Sequence, residues 1–195
     1  MAVQNIVSCM EREVLLTGIG GQGVQLAAQV LARAATAEGR HVMSLGTYGG
    51  SMRGGDTDAS LLLGDAPISA PPIVSRAWAV VGMHPRNWDA ALAKLRDGGV
   101  ALVNGDLFEG GAGDAVSLEA TALATAAGSD RAAALVLVAA LAGATGLVSL
   151  EALVDAMAAS LPSYRTEHVE TNARALAAGF EAAPTGLPVA FEAAA

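Results

Sequence analysis

Two periodicities divide the chain. Up to about residue 105, apolar runs of four or five residues alternate with stretches of helical spacing. Beyond Ser129 the apolar positions are nearly continuous and helical throughout. The runs Val14–Thr17, His41–Leu45, Ala59–Leu63, Ala77–Val81 and Val100–Val103 read as strands, the buried ones being apolar on both sides. Between the first two, Val24–Glu38 reads as a helix with Leu26, Val30 and Leu31 on one side and Gly39 as its stop. Asn87–Leu95 reads as a short amphipathic helix. The second half predicts helices over Asp130–Thr145, Leu150–Ser160 and Thr166–Ala178, with Ser149 as the N-cap of the middle one. Strand–helix alternation followed by helices predicts an α/β fold: a Rossmann-like or flavodoxin-like, mostly parallel sheet covered by helices, with a helical C-terminal part. Residues 1–180 are expected to form one domain. Residues 181–195, rich in Ala, Pro, Gly and Glu, are expected to be a poorly ordered or partner-bound tail.

Composition narrows the chemistry. Of the 195 residues, 53% are hydrophobic, 15% charged and 4% aromatic, so the core is built from Ala, Val and Leu. A formal net charge of −8 and the lack of any basic run argue against nucleic acid as a partner. Cys9 is the sole cysteine, so an internal disulfide is excluded and a four-thiolate iron–sulfur cluster cannot be held by this chain alone. The histidines, His41, His84 and His168, lack metal-ligand spacing. Ala132–Leu150 is uncharged and long enough to cross a bilayer, but its Ala and Gly content marks a buried helix instead of a membrane span. The N-terminus has no basic segment leading into an apolar one, as a signal peptide would; a cytoplasmic location is expected.

Two glycine-rich blocks carry the candidate chemistry. In the first, Gly18-Ile-Gly20-Gly21-Gln22-Gly23 links a strand to a helix. Glycines there let backbone N–H groups approach an anion, and the helix start adds partial positive charge. The spacing matches the dinucleotide fingerprint, yet the second strand ends at Thr47 without the acidic residue that would clamp a ribose. A bound phosphate or pyrophosphate, a purely structural tight turn and a nicotinamide site all stay open at this point. The second block, Tyr48-Gly49-Gly50-Ser51-Met52-Arg53-Gly54-Gly55, also follows a strand, which puts it at the same sheet edge. Arg53, set among glycines, can reach a phosphate or carboxylate bidentately; the bland alternative is a surface pairing with Asp56 or Asp58. His84, at a strand exit, is a weaker candidate. Arg165, Glu167, His168 and Glu170 read as a solvated helix face.

Together, Gly18-Ile-Gly20-Gly21-Gln22-Gly23, the following Ala27-Ala28-Gln29-Val30-Leu31-Ala32 and the Met52-Arg53-Gly54-Gly55 block resemble the gamma subunit, or gamma domain, of 2-oxoacid:ferredoxin oxidoreductases. Asp65–Pro71 and Glu170–Gly179 extend the resemblance over most of Val14–Phe180. It implies a non-catalytic subunit of an enzyme that oxidatively decarboxylates a 2-oxoacid to acyl-CoA and CO2. The implied role is to contribute to coenzyme A binding and complex assembly. Thiamine diphosphate, Mg and iron–sulfur clusters would lie on the alpha and beta subunits and on a ferredoxin-like chain. The implied coenzyme A contacts are Gly18, Gly20, Gly21, Gln22, Gly23, Arg53, Gly54 and Gly55. Gly49-Gly50-Ser51 departs from the run usual in 2-oxoglutarate-like and branched-chain-like members, so the 2-oxoacid is left open; Trp78 is expected to mark an altered partner contact. A free-standing dinucleotide-binding oxidoreductase and a non-binding scaffold subunit are the rival readings.

Overall fold

A computed structural model describes residues 10–48 (side chains through 46), 55–69, 71, 73–161 and 168–191. Six strands, β1 (Glu11–Ile19), β2 (His41–Tyr48), β3 (Asp56–Gly64), β4 (Ala77–Gly82), β5 (Leu95–Asn104) and β6 (Val116–Leu118), form one sheet in the order β2-β3-β1-β4-β5-β6. The expected α/β sheet is present, but it is mixed. β1, β4, β5 and β6 pair in parallel, whereas β3 runs antiparallel to both β1 and β2. The cause is connection length. Seven residues separate β2 from β3, and a parallel crossover needs a dozen or more, so the chain turns straight back. β2 still points the same way as β1, and both deliver their C-terminal ends to one rim.

Five helices cover one face: α1 (Val24–Ala37), α3 (Ala120–Ala127), α4 (Ala133–Thr145), α5 (Leu150–Ser160) and α6 (Val169–Glu181). Among the described residues, the other face carries α2 (Trp88–Leu92) and loops that lay Ile68, Val74, Phe108 and Ala112 on the sheet. α2 is shorter than the pattern suggested, since Leu95 already opens β5. β6 and α3 were not expected: β6 is three residues long and α3 is Ala- and Thr-rich with little polar contrast. Ser149 does cap α5, accepting from the Ala152 amide at 3.2 Å. The Ser149 amide in turn donates to Glu38 Oε1 at 2.8 Å, fastening the start of α5 to the end of α1. Trp78 is buried under the Arg12 guanidinium, 5.2 Å from its ring centre, so it marks a core position and not a partner contact.

α4 is apolar on every side because it is the central helix of its layer, packed between the sheet and α6. No helix of the described residues is long and apolar enough to cross a membrane. Glycines let α4 and α6 touch backbone to backbone. A Cβ at Gly143 would lie 2.9 Å from the Phe180 carbonyl, and one at Gly179 would collide with the Val136 carbonyl. Beyond α6, residues 182–191 fold back onto the chain instead of trailing from it. The Ala190 amide donates to Thr145 O at 2.8 Å, Arg12 Nε donates to Ala190 O, and the Phe191 ring lies 3.9 Å from the Arg40 guanidinium. This strap sits at the amino edge of the sheet, opposite the rim where the glycine block lies. Gly179→Ala should push α6 off α4 and cost about 1–3 kcal/mol, read as a lower denaturant midpoint; an unchanged midpoint would contradict this contact.

Candidate functional site

β1 exits at Ile19 into a turn that is built from hydrogen bonds. The Gln22 amide donates to Ile19 O at 3.2 Å, and Gln22 Oε1 accepts from the Ile19 amide at 2.9 Å. The other end of the same side chain, Nε2, reaches Met83 O at a longer 3.4 Å. Gln22 therefore clips the β1 exit to the β4 exit with its side chain, and with its amide also bonded to Ile19 O it has no backbone donor left for an anion, contrary to the contact expected of it. Gly18 is needed for packing: a Cβ there would lie 2.8 Å from Gln22 Oε1 and 2.9 Å from Val24 Cγ2. Gly21 and Gly23 hold φ of 101° and 79°, a region that costs an L-residue about 1–2 kcal/mol. A Cβ at Gly21 would meet nothing within 4 Å, so this corner of the turn faces open space. The Gly21 and Gly23 amides find no acceptor among the described residues, and α1 starts from Gly23 with no side-chain cap. Free amides, a helix start and room for an incoming atom together suit an anion.

The second block meets this turn. The Gly20 amide donates to Gly55 O at 2.8 Å, joining the β1 exit to the entry of β3. Arg53 and Gly54 lie outside the described residues, as do Gly49–Met52 and Cys9. Asp56, one of the carboxylates considered as a surface partner of Arg53, is faced by Arg86 at 3.9 Å. His84 serves the turn after β4, its Nδ1 accepting from the Arg86 amide at 3.0 Å. Glu170 pairs with Arg174 at 2.7 Å along α6; Arg165 and Glu167 lie outside the described residues.

Strand order also bears on the dinucleotide reading. A ribose clamp belongs at the end of the strand beside β1. Here β3 occupies that place, and the end of β2 lies two strands away, about 10 Å at the usual strand spacing. The missing acid after β2 and the displaced strand both weigh against that rival.

A cleft of about 220 Å³ opens beside the turn, over the exits of β1, β4 and β5. Gly21, Gln22, Met83, Asn104, Thr121 and Arg131 are among its walls. Asn104 is fully buried; its Nδ2 donates to Thr121 Oγ1 at 2.8 Å and its Oδ1 accepts the Thr121 amide at 3.2 Å. Asp106 Oδ2 takes the Thr121 and Ala122 amides, at 2.8 and 3.2 Å, and so caps α3 from a distance. Sequence reasoning missed Asn104, Asp106 and Arg131. The signal was present in Asn104-Gly105-Asp106, a polar run directly after a buried strand, at the edge where open α/β sheets bind ligands. A larger groove of about 560 Å³ runs between α1 and the β2–β3 pair, but its charged lining residue, Arg33, already donates to Ala159 O at 2.8 Å. Among the described residues no group of His, Cys, Asp and Glu side chains is placed to hold a metal ion.

Residues 13–182 match the family model described as pyruvate ferredoxin/flavodoxin oxidoreductase. The 2-oxoglutarate synthase subunit KorC of Methanothermobacter marburgensis is 33% identical over 183 residues, 88% of this chain and 96% of that one. The match to KorC of Methanocaldococcus jannaschii, 32% identical over 99 residues, spans 50% of this chain and about half of that protein, 52%. Among solved structures, the keto/oxoacid ferredoxin oxidoreductase gamma subunit of Geobacter sulfurreducens superposes with a TM-score of 0.74 at 29% identity. That match covers 89% of this chain and 96% of that one. The 2-oxoglutarate:ferredoxin oxidoreductase of Magnetococcus marinus, solved with 2-oxoglutarate, coenzyme A and succinyl-CoA, shares the fold with a TM-score of 0.77 at 16% identity. It covers 93% of this chain and 33% of that larger one. The family match over most of the chain and the full-length relative agree with the mixed sheet and its glycine turn: the chain belongs to the pyruvate ferredoxin/flavodoxin oxidoreductase family.

Proposed function

We propose that this chain is the gamma subunit of a 2-oxoacid:ferredoxin oxidoreductase and that its glycine rim holds a phosphate of coenzyme A. The observation that carries the reading is the 2.8 Å bond from the Gly20 amide to Gly55 O. It makes the two glycine blocks neighbours, so one anion can be shared between them. In this reading the amides of Gly21 and Gly23 bind the phosphate, Gly18 and Gln22 shape the turn, and Arg53 with Gly54 and Gly55 closes it from the β3 side. Coenzyme A contains three phosphates and so suits a site built for anions. A solved protein sharing this fold carries coenzyme A. The acyl chemistry belongs to partners in this reading. With a single cysteine, the chain has no donor set for a four-thiolate cluster. Thiamine diphosphate, Mg and the clusters would be held by alpha and beta subunits and a ferredoxin-like chain in a cytoplasmic complex. The chain's own work is then to bind and orient the acyl acceptor and to complete the assembly.

Two substitutions test this in the complex purified with its partner subunits. Arg53→Ala should raise the KM for coenzyme A about tenfold or more, the loss expected for one charge-assisted contact, and leave the KM for the 2-oxoacid unchanged. Gly21→Val should do the same by placing a side chain where the phosphate would sit, with a stability cost of about 1–2 kcal/mol for the left-handed backbone. If both variants assemble and turn over with an unaltered coenzyme A dependence, the subunit is a scaffold and the binding role is wrong.

A further inference from the structure

The two edges of the sheet are unlike. β6 is three residues long and stands between the exposed Asp114 and Glu119, and both its shortness and its flanking charge discourage pairing with another strand. β2 has eight residues and contains no Lys, Arg, Asp, Glu or Pro. Its register with β3 runs from His41↔Gly64 to Tyr48↔Thr57 without a shift, so no bulge bends it away. Among the described residues no strand pairs with its outer side. Leu45 lies across from Ser60, two residues before Leu62, which puts it on the thinly covered face, and there it is exposed.

The helical side of this edge is open as well. The 560 Å³ groove there runs between α1 and β2, with Val42, Ser44 and Gly46 along the strand and Gln29 and Thr36 among the residues of the helix. Its charged lining residue, Arg33, is turned toward Ala159 O on α5. A chain of net charge −8 therefore keeps its acids off both faces of β2. Such an edge offers nothing to a partner selected by charge, and it holds nothing that would repel a copy of itself.

We propose that β2 pairs antiparallel with β2 of a second copy of this chain, about a twofold axis through Leu45. The axis stands normal to the sheet, which then runs on from one copy into the other with the helical layers on one face. Directly opposed residues of an antiparallel pair share a face, so the register must match like-facing residues. Centring it on Leu45 lays the two exposed leucines against each other. On the helical face, Ser44 of each copy meets Gly46 of the other, and these small residues leave room above them. α1 lies over β2 and β3. At about 4.8 Å per strand, the two α1 helices then stand roughly 10–14 Å apart, near enough for the long side chains between them to fill both grooves. Gln29 and Thr36, exposed in the single chain, become the wall that each groove lacks. Each copy thus supplies the strand and the helix that complete the other's edge. Because the paired strands run oppositely, the two carboxyl rims face away from each other and stay open, so the pairing is independent of what the rim binds.

Sedimentation of the full-length chain should show a concentration-dependent dimer. Leu45→Lys, which sets like charges face to face, should weaken it at least about tenfold without lowering the thermal midpoint of the monomer, because Leu45 is outside the core. Crosslinking then tests the register, in the chain alone and in the complex with its partner subunits. Opposed Cα atoms lie about 4.5–5.5 Å apart, a span that a disulfide bridges. In a Cys9→Ser background, Leu45→Cys should join copy to copy under mild oxidation. Val189→Cys, at a position that is more exposed but lies on the strap, should not. A crosslink between copies in either preparation upholds the pairing. No such crosslink in either, a dimer of the lone chain that Leu45→Lys leaves intact, or Leu45→Cys joined to a different subunit would each overturn it.

Discussion

The Gly20–Gly55 hydrogen bond exists because β3 runs against its neighbours. A seven-residue link after β2 cannot cross the sheet, so the chain reverses at the carboxyl rim and re-enters beside β1. That reversal brings the end of the second glycine block against the first. Had β3 followed a helical crossover, it would have started at the opposite edge, and Gly55 would lie a full strand length from Gly20. The same reversal removes β2 from the place beside β1 where a dinucleotide fold holds its ribose. One constraint on connection length thus sets Gly55 against Gly20 and takes β2 out of the place a nucleoside clamp would need.

Much of this was legible in the residues. The Gly18–Gly23 spacing, the apolar strand before it and the helix after it gave the β1–α1 turn, and Ser149 gave a helix start that the structure repeats. What could not be read was set by contacts distant in sequence. β3 carries the same alternation whichever way it points, so its antiparallel sense is invisible locally. Val116–Leu118 is strand only because β5 offers it an edge, and α3 shows little polar contrast along Ala120–Ala127. The tail from Ala182 looks unstructured in composition, yet Arg12 and Arg40, far upstream, grip its Phe191. At the candidate site, Gln22 was read for its backbone, while its side chain proves to be the brace between two strand exits.

The helical layer is organised by small residues. α4 has no polar side to present, so it must be enclosed, and Gly143 and Gly179 allow α6 to approach closely enough to do so. Its start, Ala133, thereby arrives at the rim next to Gly23, with Arg131 just before it. What encloses the middle of that helix also fixes its N-terminal end beside the glycine turn.

The thinly covered face of the sheet carries a different consequence. Among the described residues, one five-residue helix and a few loops shield Leu15, Leu62 and Val80 there, against five helices on the opposite side. Leu45, on the outermost strand, is 44% exposed. Opening on this side exposes less apolar area than opening on the other, so backbone amides of the β2–β3 hairpin should trade their protons with solvent sooner than those of α4. The β2–β3 edge, which contributes Gly55 to the rim, is then where local order yields first.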